Sequence, residues 1–170
     1  MYSYNYAPAG AKGPDPKKGD RTVYIDHNAD RRVDYILAVS RVYGEVTVKA
    51  TSAGNALRLS GLMAAVSADA VLGADAVASG DKAIGYAILS AGAPCAYAVS
   101  KAQSFTGTFT AVTSKNEVRI DGAAYALSAI TGVRADLLAD ISSPEHFGRQ
   151  LTIYNDGMYI VDFEATEKSG

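Results

Sequence analysis

Alternating apolar and polar residues predict β-strands near the start of the chain. Arg21–Ile25 (RTVYI) is a short run rich in β-branched and aromatic residues. In Glu45–Ala50 (EVTVKA), Val46 and Val48 alternate with charged and polar residues. Because successive side chains of a strand point to opposite faces, the second run predicts a strand with one buried face.

The same pattern returns in the last third of the chain. Phe105–Val112 and Glu117–Ile120 are predicted as strands joined by a short polar turn. In LTIYNDGMYIVDF, the turn residues Asn155, Asp156 and Gly157 separate two further alternating runs. Turn residues between alternating runs are typical of a β-hairpin, so we predict one here.

Apolar residues at three- and four-residue spacing predict three helices. The first ends at Gly44, the second starts at Asn55, and the third covers Ala123–Ile141. The segment 67–104 is rich in Ala and Gly and has no clear period. Within it, Ala83–Leu89 fits either a strand or a buried helical turn.

Together these elements predict an α/β protein, an α+β sandwich that begins as β-α-β-α and ends in a β-hairpin. The strands would form a mixed sheet covered by the helices. We therefore expect a single α/β domain over residues 21–170, preceded by an extended arm over residues 1–20.

The arm has a composition that excludes a helix, with three prolines and three glycines within residues 8–19. Tyr2, Tyr4 and Tyr6 alternate along its first part. Aromatic side chains spaced in this way would bury apolar area either on a neighbouring copy or on the arm's own domain. We predict that these three tyrosines make assembly contacts.

The overall composition is that of a folded chain, with 48% hydrophobic and 20% charged residues. The single cysteine, Cys95, excludes an internal disulfide, and its small apolar neighbours predict a buried, inert thiol. No run stays apolar over the ~20 residues of a membrane helix, and the N-terminus lacks the pattern of a secretory signal. We expect a soluble protein of the cytoplasm, or of a particle assembled there, with no membrane contact.

No sequence pattern specifies catalysis or a metal site. His27 and His146 each lie in a predicted loop, without a second ligand at metal-binding spacing. The stretch from Gly73 to Lys82 lacks the Gly-Lys-Ser/Thr ending of a phosphate-binding loop. We predict that the protein is not an enzyme and that it binds no cofactor or metal.

Charge is divided unevenly along the chain, although the net charge is only −2. Residues 1–60 contain nine Lys/Arg and six Asp/Glu, or +3, whereas residues 61–170 contain seven and twelve, or −5. This asymmetry permits a basic nucleic-acid-binding face on an acidic body. It equally permits head-to-tail packing of like subunits.

Two adjacent arginines near the first predicted helix are candidates for phosphate contact. Arg31 and Arg32 are out of place at a helix N-terminus, which favours anions. They would either pair with Asp30 and Asp34 or reach outward to phosphate, to which Arg makes bidentate hydrogen bonds. The candidate nucleic-acid contacts are Arg31, Arg32, Lys49 and Arg58, with Lys12, Lys17, Lys18 and Arg21 of the arm as a flexible clamp.

Three short motifs follow one another within residues 23–66. Asp34–Ala38 has the sequence DYILA, Glu45–Ala50 has the sequence EVTVKA, and Ala56-Leu57 begins the second predicted helix. In this order they resemble the Alba family of nucleic-acid-binding proteins, with its helix motif NYVLA and its strand ending VxIKARG. The resemblance implies a β-α-β-α fold for this portion, dimer formation and binding to DNA or RNA.

The departures from the family pattern lie at its nucleic-acid contacts. The paired lysines before the first helix correspond here to Ala29-Asp30, and the basic ARGR turn corresponds to residues 50–55, which contain no arginine. Of the basic positions, only Lys49 carries over.

Two functions remain as hypotheses from the sequence. One is a non-enzymatic, Alba-like homo-oligomer that binds DNA or RNA through a small basic patch. The other is a self-assembling structural protein, such as a coat, shell or filament subunit, whose N-terminal arm packs on neighbouring copies.

Overall fold

The computed structural model divides the chain into two compact units, each with its own sheet and its own apolar core. Unit 1 contains Met1–Lys101 together with Ile130–Gly132, and unit 2 contains Ala102–Ala129 together with Val133–Gly170. The structure describes residues 2–3, 5–6, 18–19, 21–25, 28–31, 35–51, 54–59, 66–67, 71–90 and 93–166.

The described part of the chain is mostly β-strand, so the predicted α/β class, with helices covering a mixed sheet, is wrong. The strands of unit 1 are β1 (Tyr2–Ser3), β2 (Asn5–Tyr6), β3 (Arg21–Ile25), β4 (Tyr35–Thr51), β5 (Gly54–Leu59), β6 (Val66–Ser67), β7 (Val71–Leu72), β8 (Lys82–Ser90) and β9 (Ala93–Lys101). The elements of unit 2 are β10 (Gln103–Val112), β11 (Val118–Ile120), β12 (Ala123–Tyr125), α1 (Leu137–Ile141), β13 (Gln150–Asn155) and β14 (Ile160–Ala165).

The long strand β4 takes the place of the first predicted helix and includes the strand predicted after it. Arg41–Gly44 are all buried, and this run hides the period of two that marks a half-buried strand. Beyond that run the alternation returns, with Val46 buried between the exposed residues Glu45 and Thr47. Helical spacing was therefore a misleading signal for a strand that is buried on both faces.

A strand also replaces the start of the second predicted helix. In β5, Leu57 and Leu59 are buried and Arg58 between them is exposed, which is the period of a strand. β6 pairs with β5 where that helix would have ended. The β-α-β-α order predicted for residues 21–66 is wrong.

Only the last five residues of the third predicted helix, Ala123–Ile141, are helical. The first three residues form β12, and Gly132 has φ +93°, which is incompatible with a continuing helix. Between these points, the Ile160 N–H donates to the Ala126 carbonyl and the Ser128 N–H donates to the Ile160 carbonyl. Pairing with β14 thus overrides the helix propensity of an Ala-rich segment, which is a weak preference.

The other strand predictions are confirmed. β3 has the predicted bounds, and β10 contains the predicted strand Phe105–Val112. β11 covers the last three residues of the predicted Glu117–Ile120, and β13 and β14 form the predicted C-terminal hairpin. At the hairpin turn, the buried Asp156 carboxylate accepts hydrogen bonds from the N–H groups of Met158 and Tyr159 and from the Ser128 hydroxyl. This satisfied carboxylate fixes the turn.

The sheet of unit 1 has the strand order β6-β5-β4-β8-β9-β7, with β1, β2 and β3 paired to strands of this series. Ala83–Leu89, which fitted a strand or a helical turn, lies in β8. The buried core of this unit consists of Val46, Leu57, Leu59, Val71, Ala74, Val77, Ala83 and Val99. The Ala/Gly-rich segment therefore contributes two central strands to a packed sheet.

The sheet of unit 2 has the order β12-β11-β10-β13-β14. Leu127, just after β12, makes a parallel bridge to Ile160 at the start of β14, so both ends of the sheet order are joined through this segment. The core under the sheet consists of Phe109, Val118, Ile120, Leu137, Ile141, Leu151, Ile153, Ile160 and Phe163. The short helix α1 contributes its two buried residues to that core.

A short segment far along the chain completes one edge of β4. The Tyr43 N–H donates to the Thr131 carbonyl at 2.8 Å, and Val42 and Thr131 form a parallel bridge. Gly132 follows directly, and a Cβ atom there would overlap the Tyr43 carbonyl. Glycine is therefore required at this position both for its positive φ and for the close approach to β4.

We expect Gly132→Ala to lower the free energy of unfolding by more than the ~1 kcal/mol typical of alanine at a positive φ, because the methyl group also meets the Tyr43 carbonyl. Gly80→Ala is the matched control, since Gly80 has φ +90° and nothing within 4 Å of its added Cβ. Urea unfolding of both variants measures the difference. Equal losses would show that the segment around Gly132 does not pack closely on β4.

Candidate assembly surfaces

The first residues of the chain lie in the sheet of unit 1 as two short strands. β1 pairs in parallel with β8, with Tyr2 opposite Ile88 and Ser3 opposite Leu89. β2 pairs antiparallel with the start of β4, with Asn5 opposite Ile36. The predicted extended arm therefore contributes strands to a sheet.

These two strands occupy the place where β4 and β8 cease to pair with each other. β4 and β8 are paired from Glu45 opposite Lys82 to Ser40 opposite Ala87. Beyond that point β1 pairs with β8 and β2 pairs with β4. Tyr2–Ser3 and Asn5–Tyr6 thus supply backbone partners to two strands whose facing edges have no other partner there among the described residues.

The predicted tyrosine contacts are placed only in part. Tyr2 and Tyr6 lie in β1 and β2, and Tyr4 lies outside the described residues. The strand pairing gives the backbone positions of Tyr2 and Tyr6 and leaves the contacts of their rings undefined. An assembly role for the three side chains stays a prediction.

The basic residues singled out from the sequence lie on different elements from those expected. Arg31 is exposed in a bend with φ +66°, and Arg58 is exposed on β5, so neither is on a helix. Lys18 is exposed in a turn, and the backbone of Lys49 lies in β4. Outside the described residues lie Lys12, Lys17 and Arg32. The helices that were expected to bring these cations together are not present in the described part of the chain.

A cluster of charged residues in unit 2 holds the segment between α1 and β13. Arg134 forms an ion pair with Asp140, and its Nε lies 3.8 Å from the Asp162 carboxylate. The Arg134 guanidinium also lies over the Phe163 ring, 5.3 Å from the ring centroid. One arginine thereby connects the start of α1, its end and β14.

His146 belongs to the same cluster. Its ring packs edge-on against Phe163, with centroids 5.1 Å apart, and its Nε2 lies 3.9 Å from Asp140 and 3.7 Å from Glu145. The Nδ1 atom is buried and has no hydrogen-bond partner among the described residues. The contacts are those of a packed aromatic ring near two carboxylates, which fits a structural role.

Neither a metal site nor a phosphate loop is found among the residues with described positions. No three His, Cys, Asp or Glu side chains there form a group that could hold a metal ion. In the glycine-containing stretch, Asp81 accepts a hydrogen bond from the Ala78 N–H at 2.7 Å and forms an ion pair with Lys101 at 2.9 Å. This carboxylate stabilises the turn before β8. His27 and the side chain of Cys95 lie outside what the structure describes.

Two exposed apolar residues near the end of β10 were missed by the sequence reasoning. Phe147 is 66% exposed and Val112 is 37% exposed. Val112 is the last residue of β10, and the sequence does not show which face of the sheet it lies on. Phe147 lies in a loop, just after Pro144 and Glu145. Their exposure depends on how the loop after α1 lies on the sheet, and no local pattern gives that.

Comparison with protein-family models, with curated proteins and with solved structures gave no match. The resemblance of residues 23–66 to the Alba family therefore stays a prediction, while the helices it implied are absent from the described residues of this stretch. Separately, no helix in the described part of the chain is long and apolar enough to cross a membrane.

We expect His146→Phe to raise the free energy of unfolding by up to about 1 kcal/mol at pH 8. The phenyl ring keeps the contact with Phe163 and removes the buried Nδ1 that lacks a hydrogen bond. His146→Ala is the control and should lower stability by roughly 1–3 kcal/mol through lost packing. A loss of stability in His146→Phe as large as in the alanine variant would show that the imidazole nitrogens themselves stabilise the cluster.

Proposed function

We propose that this protein is a non-enzymatic structural subunit that assembles with copies of itself by exchanging its N-terminal strands. The observation that carries the proposal is the pairing of Tyr2–Ser3 with β8 and of Asn5–Tyr6 with β4, beyond the point where β4 and β8 pair with each other. They form two-residue strands that complete a sheet built by other parts of the chain. Such a segment has the same backbone partners whether it comes from its own chain or from a neighbour.

The connection to the rest of the chain favours exchange. Eleven residues, 7–17, separate β2 from Lys18, and they contain Pro8, Pro14 and Pro16. A segment of this length spans at most ~40 Å when fully extended, which is enough to reach an adjacent copy. Proline-rich connections resist folding back tightly, because each proline fixes φ and favours an extended residue before it.

Exchange of this kind creates an assembly with little new contact surface. The hydrogen bonds of β1 to β8 and of β2 to β4 form in both the closed and the exchanged state, so they cancel in the comparison. The balance then depends on the connection and on protein concentration. When two subunits each give an arm to the other, the exchange is reciprocal and builds a closed dimer.

A mixing experiment with two cysteine variants tests the exchange. Asn5→Cys and Ile36→Cys chains, both with Cys95→Ala, are unfolded together, refolded and oxidised. Because residues 5 and 36 are opposite one another in the antiparallel β2–β4 pair, we expect a disulfide-linked heterodimer. Denaturing gel electrophoresis without reductant measures the linked fraction.

The control for this experiment pairs Asn5→Cys with Arg58→Cys, an exposed position on β5 that is not opposite β2. It should give little linked product. The double variant Asn5→Cys/Ile36→Cys in one chain reports the closed state as a monomeric disulfide. Only monomeric product in the double variant, with no heterodimer in the mixture, would contradict the proposal.

Nucleic-acid binding through the basic patch is the second candidate. It is supported by the exposure of Arg31 and Arg58, and by the position of Arg58 on the outward face of β5 between two buried leucines. An exposed arginine on the face of a sheet, such as Arg58, contacts phosphate oxygens without deforming the fold.

We expect Arg31→Gln/Arg58→Gln to weaken binding to a mixed DNA and RNA pool, if this patch contacts phosphate. The slope of log K against log salt concentration should become shallower by about 0.9 for each lost contact to duplex DNA, because fewer counterions are released. Lys115→Gln/Arg119→Gln in unit 2 is a control of equal charge. Equal slopes for both variants would exclude Arg31 and Arg58 as specific phosphate contacts.

A further inference from the structure

An open apolar groove of about 540 Å³ lies on unit 2 beside the end of β10. It is lined by Phe109, Ala111, Val112, Ser142, Pro144 and Phe147. Phe147 meets Phe109 edge-on, with ring centroids 6.3 Å apart, and is otherwise largely exposed. The groove therefore has an apolar wall and, at its mouth, a large apolar side chain with little cover.

Among the described residues, the end of β10 has no strand partner on the groove side. Residues 103–108 of β10 pair with β13, and the Phe109 N–H and carbonyl bond to the backbone of Arg149 and Gly148. After Phe109, no described strand pairs with β10 on this edge. The groove replaces the strand that would continue the sheet.

Strand alternation gives the direction of the Val112 backbone groups. The Thr113 N–H donates to the Glu117 carbonyl at 2.8 Å, which faces the β11 side. Neighbouring residues of a strand point their backbone groups to opposite sides, so the N–H and carbonyl of Val112 point away from β11. They are directed to the groove side, where the described residues offer them no partner.

An unpaired strand edge beside an apolar groove fits an extended segment better than a helix or a compact ligand, because only a strand uses both features. The end of β10 in a second copy of this chain is such an extended segment. Phe147 and Val112 supply exposed apolar groups and the groove supplies the space next to them, so the patch is self-complementary. Self-complementary patches are what two-fold interfaces require.

The charges beside Phe147 match the same symmetry. Glu145 and Arg149 lie two residues before and two residues after Phe147, have opposite charges, and are both exposed. When two such loops run antiparallel about a two-fold axis near Phe147, Glu145 of one copy lies opposite Arg149 of the other. Both cross-pairs are then attractive, and a parallel arrangement would instead place like charges together.

We propose that two copies of the chain pair through this groove, with their β10 ends antiparallel about a two-fold axis and Phe147 of each copy seated in the groove of the other. The interface rests on the proposed function only in that both concern self-assembly, and it uses a different surface from the exchanged strands. With both surfaces active, each chain has two neighbours and species larger than dimers form. With one surface active, assembly stops at dimers.

Charge reversal in the full-length chain tests the interface without altering the apolar groove. Glu145→Arg places arginine opposite Arg149 of the second copy, and Arg149→Glu places glutamate opposite Glu145. We expect each variant alone to have a dissociation constant at this interface at least tenfold weaker than the unaltered chain. An equimolar mixture of the two variants restores attraction at both cross-pairs, so we expect the mixture to assemble like the unaltered chain.

Light scattering coupled to size-exclusion chromatography, at low and high salt, measures the mass of each species. Phe147→Ser should reduce assembly, and Met158→Ser is its control because Met158 is a 70% exposed apolar residue of unit 2 that does not line the groove. Circular dichroism verifies that each variant is folded. If the single charge variants and their mixture all have the same mass as the unaltered chain, the groove interface is overturned.

The same masses separate this inference from the proposed strand exchange. If exchange occurs and the groove pairs, the unaltered chain forms species larger than dimers and the single charge variants form dimers. If only the groove pairs, the unaltered chain is a dimer, the single variants are monomers and their mixture is a dimer. If only exchange occurs, all charge variants keep the dimer mass, and the groove interface is rejected.

Discussion

The backbone hydrogen bonding of one strand, β4, organises the centre of the sheet of unit 1. Its seventeen residues have two edges, and a buried N–H or carbonyl without a partner costs about 1–3 kcal/mol. One edge is paired in succession by β3, by Thr131 and by β5, and the other is paired by β2 and β8. Segments from residue 5 to residue 131 are therefore held in one sheet by a single requirement, and each of them leaves a gap when removed.

The N-terminal strands β1 and β2 meet the same requirement for backbone partners. Because β4 and β8 separate beyond Ser40 and Ala87, their facing edges need partners, and a segment of either the same or another chain supplies them equally well. Sheet edges that must be covered are the usual starting point for strand exchange between protein chains. The facing edges of β4 and β8 are thus both what the fold must cover within one chain and what the proposed exchange would cover between two chains.

In unit 2 the charged cluster connects the core to the surface. Arg134 pairs with Asp140, and its guanidinium lies over the Phe163 ring. The His146 ring packs edge-on against the same phenyl ring. These contacts hold the loop that carries Phe147 next to β10 and leave the Phe147 ring exposed. A loop held by an ion pair and by ring packing keeps an exposed apolar ring in a fixed place, which lowers the entropy lost when a partner binds.

The sequence by itself determined the elements whose signals are local. Strand β3, the strands around residues 105–120 and the C-terminal hairpin follow from β-branched alternation and turn residues that act within a few positions. Tertiary structure decided the rest, because the burial of Arg41–Gly44 on both faces of β4 removed the period of two and imitated a helix. The Ala-rich stretch before α1 was predicted as a helix, and pairing of its residues with β11 and with Ile160 overrode that local preference. The groove beside Phe147 depends on residues that are distant in the chain, so only the folded arrangement of β10 and the loop after α1 brought it into existence.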